Sequence, residues 1–158
     1  LKHETIRRRF EEHLRSKNLK FTAQRGLIFE WVFQTHEHFT ADALHAYLKE
    51  SGGQAVSRAT VYRTLRLLAE GGFVESLDTG RGELVYEHVL GHSHHDHLVC
   101  IDCGKIEEFR SDLIEQLQEE AAESRGFTLL RHTLRLEGTC RACTRKRASR
   151  ELEPPTRM

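Results

Sequence analysis

Residues 57–70 read Ser-Arg-Ala-Thr-Val-Tyr-Arg-Thr-Leu-Arg-Leu-Leu-Ala-Glu. Ser57 is a natural N-cap, and Val61, Leu65 and Leu68 recur at the spacing of one helical face. The stripe predicts a core-facing side, which leaves Tyr62, Arg63 and Arg66 pointing outward. Gly71-Gly72 ends the helix. Upstream, Ile6, Phe10 and Leu14 predict a helix over about Thr5–Arg15. Thr22 caps a second helix carrying Leu27, Ile28, Trp31 and Val32. Thr40 caps a third with Leu44, Tyr47 and Leu48, closed by Gly52-Gly53. Downstream the period changes to two: Phe73–Leu77 and Glu83–Glu87 read as strands around the turn Asp78-Thr79-Gly80-Arg81-Gly82. Helices followed by a hairpin give the order of a winged helix-turn-helix, with residues 58–70 in the place of the reading helix.

The chain has 158 residues, with 24 Lys/Arg against 24 Asp/Glu. The balance is uneven along it. Residues 1–75 hold 12 basic and 9 acidic side chains, whereas residues 91–124 hold only Lys105 and Arg110 against nine acids. One half suits phosphate and the other suits cations. No apolar run approaches the roughly 18 residues that span a bilayer. The charged Leu1-Lys2-His3-Glu4 start is unlike a signal peptide, so a cytoplasmic protein without membrane association is expected.

On the outer face of the reading helix, Arg63 can bond a guanine edge bidentately, and Tyr62 can meet a thymine methyl or a phosphate. Lys17, Lys20 and Arg25 flank the second helix and suit phosphates or a minor groove, with Arg81 at the wing tip. The competing reading is a set of solvated surface charges.

A His-rich hinge, His88–His97, leads to a second unit. It reads as a strand near Leu98–Val99, a strand at Lys105–Phe109, a helix at Ser111–Arg125 and a strand at Phe127–Glu137. The fold class is therefore α+β, a winged helix joined to a C-terminal α/β domain. The expected divisions are 1–87, 88–145 and a disordered polar tail at 146–158. The cysteines form two C-x-x-C pairs, Cys100/Cys103 and Cys140/Cys143, with 36 residues between them. Two knuckles supply four thiolates for a tetrahedral structural Zn²⁺. Disulfides, a redox pair and an iron–sulfur cluster fit the compartment or the spacing less well.

In His94-His95-Asp96-His97, strand alternation places His95 and His97 on one face and His94 and Asp96 on the other. Each face alone has too few ligands. For the first, the candidates are His38, Glu87 and Glu108, which makes a site bridging both domains. For the second, they are Glu115 and His132. Such mixed sets suit Fe²⁺, Mn²⁺, Zn²⁺ or Co²⁺. His13, His36 and His45 read as surface or core residues, and His88 and His92 stay open.

The sequence resembles the Fur (ferric uptake regulator) family of bacterial metalloregulators. The resemblance rests on Thr22-Ala-Gln-Arg25, His38-Phe-Thr-Ala-Asp42 and Ala59-Thr-Val-Tyr-Arg-Thr-Leu65. It continues through the segment 94–105, which begins His94-His95-Asp96-His97 and includes Cys100, Cys103, Gly104 and Lys105, then Gly126-Phe127 with His132, and Gly138-Thr-Cys-Arg-Ala-Cys143. It implies a dimerising C-terminal domain and a homodimer, or a tetramer, that binds a palindromic double-stranded DNA operator when metal-loaded and represses transcription. It places structural Zn²⁺ on Cys100, Cys103, Cys140 and Cys143, and the regulatory metal on His38, Glu87, His95, His97 and Glu108. A further site on His94, Asp96, Glu115 and His132 occurs in part of the family. Tyr62 and Arg63 match base-contacting positions, Lys20 a minor-groove position. Glutamate at both 87 and 108 favours iron (Fe²⁺) sensing over the peroxide-sensing branch, with zinc and manganese sensing as further alternatives. No H-E-x-x-H or deaminase signature supports a metalloenzyme.

Overall fold

The helix over 58–70 forms where its pattern places it: α4 (Arg58–Glu70) begins with Ser57 accepting the Thr60 N–H. Val61, Leu65 and Leu68 are fully buried. At its end Gly72 takes φ 69°, a left-handed conformation that costs glycine little. The Gly72 and Phe73 amides then close onto Ala69 and Leu68 carbonyls. A side chain at Gly71 would collide with the Phe73 ring, because a Cβ there lies 2.4 Å from it.

The structure, a computed structural model, describes residues 3–52, 55–80, 82–89 and 94–151. Before α4 come α1 (His3–Ser16), α2 (Ala23–Gln34), β1 (Phe39–Thr40) and α3 (Ala41–Glu50). Thr22 and Thr40 cap α2 and α3 by accepting the Arg25 and Ala43 amides. After α4, β2 (Val74–Asp78) and β3 (Leu84–His88) form an antiparallel hairpin, and β1 pairs with β3 on its other side. The Phe10 ring stacks on Phe29 and meets Phe73 edge-on at 5.3 Å, joining α1, α2 and the start of the wing. Arg81, Gly53 and His92, which the sequence reading used or left open, lie outside the described residues.

The second unit contains β4 (Asp96–Cys100), β5 (Ile106–Phe109), α5 (Asp112–Glu123), β6 (Arg135–Gly138) and α6 (Arg141–Glu151). Its sheet has the order β5-β4-β6, with β4 antiparallel to β5 and parallel to β6. The chain divides into two compact units, Leu1–Asp78 with Gly82–His92, and Thr79–Arg81 with Ser93–Met158.

Three expectations need correction. His88 is not hinge: it pairs with Val74 as the last residue of β3 and is buried beside Phe33, so it belongs to the first unit. The strand expected over Phe127–Glu137 exists only as Arg135–Gly138, the residues that pair in register with β4. Alternation before Arg135 forms no strand ladder among the described residues. The polar tail expected from Thr144 onward, set as disordered over 146–158, instead continues as α6 to Glu151, and the rest of that expectation, 152–158, lies outside the described residues. Its lack of an apolar face hid that helix. The anchor is the knuckle itself, through buried Cys143 and the Thr144 amide bonded to the Cys140 carbonyl, and an Arg147–Asp102 ion pair ties it to the first knuckle.

Candidate functional site

Backbone geometry builds the cysteine cluster. Gly104 at φ 74° lets the chain turn directly after Cys103. Its amide bonds the Cys100 carbonyl at 2.8 Å, and the Cys100 amide bonds the Lys105 carbonyl at 2.8 Å. The second pair sits at the start of α6. The four Sγ atoms lie within 4.8 Å of one another, with Cys103 and Cys140 3.8 Å apart. All four cysteines are thiols rather than disulfides. Amides of Cys140 and Cys103 draw the Cys100 thiol down to about 6, whereas contact with Cys103 and Cys140 pushes Cys143 up to about 12. Four thiolates this close would repel one another unless a cation sat among them. This is the donor set of a structural zinc site, closed to substrate.

A second cluster joins His94, Asp96, Glu115 and His132, whose ligand atoms also lie within 4.8 Å of one another. His94 Nε2 is 3.3 Å from Asp96 and 3.6 Å from Glu115, and His132 Nε2 is 3.4 Å from Glu115. Asp96 is 1 % exposed, yet neither of its carboxylate oxygens has a hydrogen-bond partner among the described residues. The same holds for Glu115 Oε1 and His132 Nε2. Burying four such atoms together is costly unless a cation satisfies them. A cavity of about 460 Å³ lined by Glu115, Glu119, Glu123 and His132 opens beside the cluster.

The remaining predicted ligands form partial sets within each unit. In the first, His38 precedes β1 and Glu87 lies on β3, the strand that pairs with β1, bringing His38 Nε2 to 3.5 Å from Glu87. In the second, His97 on β4 faces Glu108 on β5 in register. His95 Nε2 is 3.8 Å from Glu108, and the His95 and His97 rings are 5.1 Å apart.

Tyr62, Arg63 and Arg66 lie on the exposed side of α4. Arg63 Nε donates to the Ala59 carbonyl at 3.1 Å. Arg66 and Lys17 both bond Glu70, and the two cations hold its carboxyl below the ordinary range. The Arg25 guanidinium donates to the Lys20 carbonyl, fixing the approach to α2. The sequence reading missed one contact: Asp42, at the start of α3, grips Arg58 on α4. The signal was present in the quoted motif ending at Asp42, but its partner sixteen residues away was not legible from spacing.

Residues 16–137 match the model of the ferric uptake regulator family. The chain belongs to that family. A ferric uptake regulation protein of Campylobacter jejuni is 36% identical over 149 residues, covering 94% of this chain and 94% of the relative. One from Legionella pneumophila is 38% identical over 133 residues, covering 84% and 96%. Among solved structures, the Helicobacter pylori ferric uptake regulator, described as having three functional metal-binding sites, superposes with a TM-score of 0.75 at 26% identity. It covers 91% of this chain and 95% of its own. The Pseudomonas aeruginosa regulator, solved with manganese, reaches 0.71 at 33% identity, covering 82% and 96%. A Fur-family chain is thus a regulator of metal uptake, built as a helical N-terminal domain and a C-terminal α/β domain.

Proposed function

We propose that the protein is an iron-responsive repressor whose homodimer binds a palindromic DNA operator in the cytoplasm, with His38, Glu87, His95, His97 and Glu108 holding the regulatory ion. The observation that carries this reading is the pair of incomplete ligand sets. His38–Glu87 sits on the sheet of the DNA-binding unit, and His95, His97 and Glu108 sit on or beside β4 and β5 of the other. Neither set alone suffices for a mixed histidine–carboxylate ion. A divalent cation bound there supplies coordination bonds to both units at once. His38 and Glu87 then fix the reading head, and His95, His97 and Glu108 fix the dimerising unit, so one hinge angle is selected from many.

Tyr62 and Arg63 read base edges, Lys20 reaches a minor groove, and Arg25 secures the turn that presents Lys20. The homodimer accounts for the apolar surface of the second unit. α5 buries none of its residues, and Leu113, Leu117, Phe127 and Leu130 are 65 %, 54 %, 70 % and 91 % exposed. A patch of that kind needs a partner. No helix among the described residues is long and apolar enough to cross a membrane. Glutamate at both 87 and 108 supports iron, as do relatives named for ferric uptake.

Anaerobic operator binding titrated with Fe²⁺, Mn²⁺ and Zn²⁺ tests the reading. Tight, palindrome-specific binding induced by Fe²⁺ at its cellular level is expected. Binding indifferent to any metal contradicts it. Histidine ligands must be deprotonated, so the induced binding weakens as the pH falls below about 6.

The His94, Asp96, Glu115 and His132 cluster is proposed as a further cation site that stiffens the dimerising unit. His132→Ala should lower bound transition metal by one ion per chain by mass spectrometry and leave the cysteine-bound zinc in place. An unchanged metal count would contradict that assignment.

A further inference from the structure

The first turn of α4 carries an interaction that metal binding does not use. Arg58 Nε donates to Asp42 Oδ1 at 2.9 Å, and its Nη2 bonds Oδ2, a two-point fork. The Tyr62 hydroxyl, one helical turn on, lies 3.5 Å from the same Oδ1. Arg58 and Tyr62 are both exposed: Arg58 flanks the start of the buried stripe, and Tyr62 lies beside it one turn on. Asp42 raises the affinity of Arg58 for its proton through its hydrogen bond and its charge.

An exposed ion pair adds little to stability, because solvent screens it and two side chains must be ordered to form it. Its geometric effect is larger. An arginine held at Nε and one Nη has its guanidinium plane fixed and its remaining donors directed outward. A carboxylate close to DNA also repels phosphate, so its presence on a reading face needs a compensating role.

Resting on the DNA-binding reading above, we propose that Asp42 is a positioning residue for operator recognition: it clamps Arg58 and Tyr62 at the exposed N-terminal turn of α4, and Arg58 is a further DNA-contacting residue oriented by that clamp. The clamp sets the entry geometry of both side chains before the duplex arrives, so the ordering cost at binding falls. It favours the operator over other DNA more than it favours DNA in general.

The test uses the full metal-loaded chain and duplexes selected by the wild-type protein from a random pool. Asp42→Ala is expected to lower the operator-to-scrambled affinity ratio about tenfold, within the range one bidentate contact provides. Affinity for scrambled DNA should hold or rise, since a negative charge is gone. Arg58→Ala should reduce the ratio similarly. Adding Asp42→Ala to Arg58→Ala should cost much less than Asp42→Ala alone, because the clamp acts largely through Arg58. Arg58→Lys, which keeps the charge and loses the fork, should resemble Asp42→Ala.

If Asp42 served only the start of α3, Asp42→Ala would lower the melting temperature, leave the ratio intact and add fully to Arg58→Ala. That result overturns the proposal. Asp42→Asn, which keeps the side-chain shape, provides the same comparison should the alanine variant fold poorly: an unchanged ratio again overturns it. A wild-type protein that selects no palindrome under any metal sinks the DNA-binding reading and this inference with it. A wild type that selects one, matched by Asp42→Ala, sinks this inference alone.

Discussion

Replacing His97 with alanine is expected to leave the protein folded and zinc-loaded, yet to drop its metal-dependent operator affinity to the non-specific level, a loss of about 10³-fold or more. His97 is 3 % exposed, is the second residue of β4 and faces Glu108 across the ladder. The substitution removes a donor from the proposed regulatory site while the cysteine knuckle at the end of the strand stays intact. His38→Ala should have the same effect from the other unit, and the double variant should be no worse than either single one. Shared loss without additivity is the signature of groups that act as one site. Fluorescence anisotropy at fixed salt with saturating Fe²⁺ measures it. Near-wild-type operator affinity in either variant would remove that site from the regulatory mechanism.

The second large effect concerns zinc. Among the described residues, the first unit has a core of eighteen buried apolar side chains, including Phe10, Phe29, Leu65 and Leu68. Among those residues the second unit's buried apolar side chains are Val99, Cys100 and Cys143, two of them in the proposed zinc cluster. A core this thin does not offset chain entropy by itself. Zinc binding to such sites is worth roughly 10 kcal/mol, enough to decide whether the unit folds. Cys140→Ser, or removal of zinc by a strong chelator, should therefore melt the second unit and abolish dimerisation while the winged helix keeps its own transition. Circular dichroism on heating should show one surviving transition, and sedimentation should show monomers. A stable dimer after complete zinc removal would contradict this.

Much of the first unit could be read from its sequence because local signals agree with one another. Ser57, Thr22 and Thr40 cap the helices they precede, and the stripe of Val61, Leu65 and Leu68 is fully buried. The cysteine spacing likewise marked its cluster, since two C-x-x-C knuckles have few other uses. Features set by long-range contacts were harder. β1 is two residues long and exists through its pairing with β3. The segment before Arg135 alternates like a strand yet forms no strand ladder among the described residues, and α6 is a polar helix tied down by Cys143 and Arg147. The Asp42–Arg58 fork joins two helices and shows in no periodicity.

Alternation in the histidine run illustrates both sides. It separated Asp96, which meets Glu115 and His132, from His97, which faces Glu108. It did not reveal that Asp96 would be buried with neither oxygen hydrogen-bonded among the described residues, the feature that supports the cation site proposed there.

The account stands or falls on one ion tying the two units together. Anomalous diffraction from crystals grown with Mn²⁺ or, anaerobically, with Fe²⁺ measures this directly. The predicted density is a single peak contacted by His38 and Glu87 from the DNA-binding unit and by His95, His97 and Glu108 from the other. A peak held by residues of one unit alone, with His38 remote from His95 and His97, would contradict it.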